Sequence, residues 1–204
     1  MGRQEQTNHL FSNRDLRILL VPLIVEQILN SLMGTADSIM VSNVGSAAIS
    51  AVSLVDSINI LVIQAFYALA AGGSIVCSQY IGQKDKKNAE ESARQLSFVV
   101  ACISSAVMAV CLLTRGPLLR LIFGSVEADV MEAAQIYFFY TALSFPFIAL
   151  YDAGSSIYRA QGNTRLPMTI AVVSNGLNIA GNAVLIWGFH LGVAGAAIAT
   201  LGSR

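Results

Sequence analysis

Glu26, Asn30 and Asp37 are separated by four and seven residues, in "VEQILNSLMGTADSIM". At about 100° per residue that spacing brings all three to one face of a helix. Pro22, one turn before Glu26, shares the face, and Gly34 lies inside it. Carboxylates and a carboxamide aligned in this way can bind a cation, exchange a proton or hold a polar solute. A second set, Asn175, Asn178 and Asn182 in "SNGLNIAGNAV", repeats the pattern at i, i+3 and i+7. A third comprises Tyr137, Tyr151 and Asp152, with Asp152 seven residues before Arg159.

Each set sits inside an apolar run. Hydrophobic residues make up 55% of the 204, charged residues only 12%, and the mean hydropathy is +0.65. Soluble domains carry about 25% charged residues, so this composition is that of a membrane protein. Five long apolar segments cover roughly residues 16–41, 52–80, 93–114, 131–159 and 166–189, and a sixth starts near Gly192. Each of the five reaches the length of about 20 residues that spans the hydrocarbon core. Lipid leaves no water for open backbone groups, so all are read as helices. The sixth, "GVAGAAIATLGSR", covers only about 20 Å at 1.5 Å per residue, which predicts a truncated helix with a small-residue packing face.

A charged group at bilayer depth costs about 2.5 kcal/mol or more, so it normally faces protein or a wet cavity. For Glu26 the alternatives are an ion-coupling role or a structural hydrogen-bonding one. Asp37 is either part of a functional path or interfacial. Asp152 is either free in the interior or paired with Arg159, and the asparagines either line a pocket or join helices. Pro22 and Gly34 would loosen the first helix where the stripe runs, making them candidate hinges. His190 falls in a short loop, and Cys77, Cys102 and Cys111 show no metal-ligand spacing, so no metal and no cofactor are expected. Nothing in the pattern points to an enzyme.

Net charge is zero, which excludes a basic field for nucleic acid and leaves small molecules, ions and lipid as partners. The polar start, residues 1–15, reads as an arm rather than a cleaved signal. Lys and Arg alternate between loops: Arg3, Arg14, Arg17, Lys84, Lys86, Lys87, Arg94, Arg159 and Arg165 fall on one side, against Arg115 and Arg120 on the other. Nine against two places the N-terminus in the cytoplasm of a multi-pass plasma-membrane protein.

The ordered set "PLIVEQILNSLMGTADSIMVSNVGSAAISAV", "ALAAGGSIVCSQYIGQKDKKNAEESARQ", "YRAQGNTRLPM", "NGLNIAGNAVLIWG" and "GVAGAAIAT" resembles the multidrug and toxic compound extrusion (MATE) transporters from about Leu16 onward. The resemblance implies an all-α six-helix lobe over residues 16–204, the N-terminal half of a two-lobed antiporter whose C-terminal lobe is a missing partner. It implies export of organic cations and amphipathic drugs against H+ or Na+, in a prokaryotic cell membrane. Matching the family's motifs residue by residue puts Asp37, Asn30, Asp152, Asn178 and Asn182 at the cavity; Tyr137, on the fourth segment, is expected to hydrogen-bond and shape the pocket beside them. Many proton-coupled relatives have aspartate where this chain has Asn182, so Asp152 or Glu26 would supply the second charge beside Asp37.

Two other functions fit a helical membrane protein. A flippase for lipid-linked precursors would need a basic cavity, and the membrane interior as read from sequence holds no Lys or Arg, segment ends aside. A channel or assembly subunit would require two half-length chains to dimerise.

Overall fold

The computed structural model describes residues 13–124 and 126–204. Most of the expected N-terminal arm, with Arg3, lies outside the described residues. Among the described residues seven α-helices follow one another: α1 (Asn13–Ser42), α2 (Ser46–Gly82), α3 (Lys86–Phe123), α4 (Ala128–Leu143), α5 (Phe145–Ala160), α6 (Arg165–Asn182) and α7 (Gly192–Ser203), with a π-helical turn (Ala183–Gly188) continuing α6. No strand occurs among the described residues. The α1, α2, α3 and extended α6 helices are each long and apolar enough to cross a membrane, and α4 with α5 meets the same length and composition as a pair bent by 43°. The α7 helix is apolar and, at 12 residues, about 18 Å long.

Sequence reading anticipated one continuous helix over 131–159, and the structure breaks it at Ser144. Pro146 explains the break: it occupies the first turn of α5, where its missing N–H is tolerated, and its ring is incompatible with a helix running straight through. Ser144 Oγ donates to the Thr141 carbonyl at 2.6 Å, satisfying one group that the break frees. The turn signals in "TRGPLLR" predict a loop, yet α3 runs through Gly116 and Pro117 to Phe123. One lost backbone hydrogen bond is outweighed there by seating Leu119, which is completely buried.

The short connections carry their own stop signals. Asp85 caps α3 by accepting from the Asn88 N–H at 3.2 Å, directly after Lys84 at φ 60°. Gly162, at φ 80°, turns the chain from α5 into α6.

Two groups of helices result. The α2 helix packs on α3, α4 and α5, around a core that includes Val55, Val100, Phe138 and Phe145, with Phe66 set edge-on to Phe145 at 5.9 Å. The α1 helix packs on α6, and α6 on α7. In the second group the small residues of α7 permit close approach. A methyl on Gly195 would lie 3.0 Å from the Leu185 carbonyl carbon, and one on Gly181 would lie 3.1 Å from Ala199 Cβ. The groups meet where α4 packs on α7 and α1 touches α2. Leu61, Phe98, Leu113 and Leu121 point outward and are largely exposed. Such faces are a liability in water and suit a lipid surround.

Candidate functional site

A cavity of about 480 Å³ opens between the two groups, within the size range of small-molecule sites. The α1 helix supplies one wall with Glu26, Gln27, Asn30, Ser31, Gly34 and Asp37, so the stripe read from the sequence faces one space. Eleven residues separate Glu26 from Asp37, about 16 Å along the helix. The carboxylates therefore mark two ends of the cavity rather than a single cluster.

At the Asp37 end the surroundings are carboxamides and a hydroxyl. Asn182 Nδ2 donates a short hydrogen bond to Asp37 Oδ1 and also reaches Asn178 Oδ1 at 3.3 Å. Asn178 Nδ2 donates to Thr200 Oγ1 at 3.4 Å. Thr200 Oγ1 lies 3.2 Å from Asp37 Oδ2 and 2.9 Å from the Ala196 carbonyl, and its single proton serves one acceptor at a time. Asn178 and Asn182 are completely buried behind Asp37 and do not line the cavity. Asn182 thus gives Asp37 a donor instead of a second charge. Asn175 stays outside this network, donating to the Ala171 carbonyl at 2.8 Å.

At the other end Arg159 Nη2 donates to Glu26 Oε1 at 2.6 Å, and the Tyr151 hydroxyl donates to the same oxygen at 2.9 Å. Arg159 also stacks over Tyr67, 5.9 Å from the ring centroid. Two expectations change here. Arg159, counted as a loop residue, belongs to the cavity wall, and with Arg204 it puts two guanidinium groups where the sequence reading allowed none. Its ion pair is with Glu26 on α1, and no pair with Asp152 forms. Seven residues along a helix separate two side chains by about 10 Å, whereas the Arg159 side chain reaches across the cavity to Glu26 on α1.

Tyr137 and Asp152 both line the cavity, from α4 and α5. Asp152 is buried and its Oδ2 has no hydrogen-bond partner. Pro22 and Gly34 both lie within a continuous α1: Pro22 is buried, and Gly34 is exposed on the cavity wall with open space where a Cβ would stand.

Sequence reasoning missed a whole wall. From α2 come Asp56, Asn59, Gln64 and Tyr67, from α7 comes Ser203, and Arg204 follows directly after it. Asp56 Oδ1 accepts from Asn59 Nδ2 and from the Tyr137 hydroxyl, each at 3.3 Å. Arg204 Nη1 donates to Ser144 Oγ at 2.8 Å and lies within electrostatic reach of Asp37, Asp56 and Asp152. The α2 signal was present in "VDSINILVIQAFY": positions 56, 59, 64 and 67 follow the same helical period that exposed the α1 stripe.

The chain matches the family model MatE over residues 22–184. It is 34% identical to the uncharacterized transporter YisQ of Bacillus subtilis over 96% of its own length and 42% of that protein's. It is 27% identical to a probable multidrug resistance protein NorM of Thermotoga maritima, over 94% of this chain and 42% of the relative. A solved outward-facing multidrug resistance MATE transporter of the MOP superfamily superimposes with a TM-score of 0.86 at 26% identity, covering 93% of this chain and 42% of that one. A Pyrococcus furiosus MOP superfamily transporter, reported with reversed polarity of its binding pocket, aligns equally well over 41% of its length. The chain therefore spans about two fifths of the length of these relatives. Its spans and its matches make it a multi-pass helical membrane protein, and the chain belongs to the MatE family.

Proposed function

We propose that this chain forms the N-terminal lobe of a secondary antiporter that exports cationic or amphipathic small organic molecules in exchange for H+ or Na+, together with a C-terminal lobe. The observation that carries the proposal is the cavity itself, with four carboxylates (Glu26, Asp37, Asp56 and Asp152) against two guanidiniums (Arg159 and Arg204) on its walls. The excess of acid favours a cationic guest. It disfavours the flippase reading, because each arginine that a pyrophosphate would need already faces carboxylates.

Asp37 is the proposed coupling residue, and Asp152 is the proposed second titrating group. Asn30 and Tyr137 contact cargo, while Asn178 and Asn182 act through Asp37. An ionised Asp37 draws the Thr200 proton toward it. Protonation removes that pull, and the hydroxyl turns to the Ala196 carbonyl that it already reaches. The tie between α1 and α7 is thereby weakened, and α1 can bend at Pro22 or Gly34 to change which side of the membrane the cavity faces. Orientation follows the loop charges. With Arg159 set aside as a cavity residue, eight basic residues against two still favour a cytoplasmic N-terminus in a prokaryotic cell membrane.

The test is Asp37→Asn in the full-length transporter, reconstituted in proteoliposomes with an imposed pH gradient. Coupled efflux of a fluorescent organic cation is expected to be lost while the protein remains monodisperse. Efflux at the original rate and with the original pH dependence would refute the role.

A further inference from the structure

We propose that Asp56, with Asn59 and Tyr137, forms a recognition site for the N–H of a protonated amine, making Asp56 a specificity-determining residue. The inference rests on the antiporter reading above and names the class of its cargo.

The three side chains form a donor-poor arrangement. A carboxylate can only accept, so the Asn59 group that contacts Asp56 Oδ1 must be its NH2. That fixes the amide orientation and leaves Asn59 Oδ1 as the atom without a donor. Asn59 is only 2% exposed, and this oxygen is fully buried with no hydrogen-bond partner. The Tyr137 hydroxyl spends its proton on Asp56 Oδ1, so its oxygen remains an acceptor. Asp56 Oδ2 receives no hydrogen bond among the described residues, and Asp56 is only half-buried on the cavity wall. The site therefore offers acceptors from three side chains against one spare donor, the second N–H of Asn59 Nδ2. Arg204 is the nearby cation, and its Nη1 donates to Ser144 Oγ.

Leaving a buried acceptor unpaired is costly, so a guest that brings a donor is favoured over one that does not. Ammonium groups bearing at least one N–H satisfy Asn59 Oδ1 or Asp56 Oδ2, whereas a quaternary ammonium contributes charge alone. Ile60 and Ile63, one and two turns along α2, supply an apolar wall for the rest of an amphipathic cation. Asp37 differs in having both oxygens within reach of donors from α6 and α7. The two carboxylates thus divide the work, coupling at Asp37 and cargo recognition at Asp56.

The experiment compares two dansyl dyes that differ only at one end, dimethylammonium against trimethylammonium, binding to the purified full-length protein in detergent. Fluorescence anisotropy gives the two dissociation constants. A charge-assisted hydrogen bond predicts that the wild type binds the dimethylammonium dye about ten-fold more tightly. Asp56→Asn is expected to weaken both dyes and to bring their ratio near one. Where Asp56→Asn elutes as aggregate, Asn59→Leu removes the unpaired acceptor without changing charge, and a ratio reduced about three-fold or more supports the site. Equal affinities in the wild type, no binding of either dye, or an unchanged ratio in a folded variant overturns it. Failure of Asp37→Asn to abolish coupled efflux would overturn the coupling role and leave this ratio untouched, so the two results are separable.

Discussion

The ion pair between Glu26 and Arg159 decides between two readings of Glu26, as an ion-coupling group or as a structural tie. Glu26 keeps only 4% of its side-chain exposure and Arg159 21%, and the contact of 2.6 Å joins α1 to α5, helices of different groups. Removing one partner of a buried pair leaves an uncompensated charge and costs about 3–5 kcal/mol. Arg159→Leu belongs at the lower end, because the Tyr151 hydroxyl still donates to Glu26 and Arg159 is not fully buried. About 3 kcal/mol corresponds to a fall of roughly 6–12 °C in melting temperature, on the scaling for domains of 150–250 residues. The double variant Glu26→Gln with Arg159→Leu removes both charges and is expected to recover at least half of that loss. Melting is followed by tryptophan fluorescence in detergent, and a single variant melting within about 2 °C of wild type would refute the reasoning. Efflux separates the roles. A double variant that melts normally and still exports against a proton gradient makes Glu26 a structural tie, whereas one that melts normally and has lost coupling makes it an ion-coupling residue.

Three further outcomes follow from local geometry. Asn182→Leu withdraws the donor from Asp37 Oδ1 at a completely buried position, and about 1–3 kcal/mol of stability should be lost, read as a lowered melting temperature. Gly195→Ala drives a methyl against the backbone of Leu185 and should cost about 1–3 kcal/mol, visible in the same melt as premature loss of the α7 contact. Gly34→Ala meets open space, so the helix should gain about 0.5–1 kcal/mol. If α1 bends at Gly34, efflux slows as melting temperature rises; a variant that is stabilised and exports at the full rate would show that the hinge lies elsewhere.

How far the site could be read from sequence depended on what each residue needs from its neighbours. The stripe of Glu26, Asn30 and Asp37 was legible because polar residues on an apolar helix have to face a common interior, and periodicity alone reports that face. The same rule applied to α2 would have found Asp56, Asn59 and Tyr67, whose alternation is diluted by the long apolar stretch around them. Pairing was not legible, because it depends on the tertiary path of the chain. Arg159 looks like a loop cation until the tertiary path lets its side chain reach across from α5 and set its guanidinium on Glu26 of α1. Asn182 looks like a lost carboxylate until α6 packs on α1 and it becomes the donor that holds Asp37. That contact also alters what the missing aspartate means. A carboxylate at position 182 would face Asp37 across a hydrogen-bond distance, and one of the two would have to carry a proton or bind a cation. An amide there adds no charge and donates to Asp37 instead. The other carboxylates of the cavity come from α1, α2 and α5, as Glu26, Asp56 and Asp152.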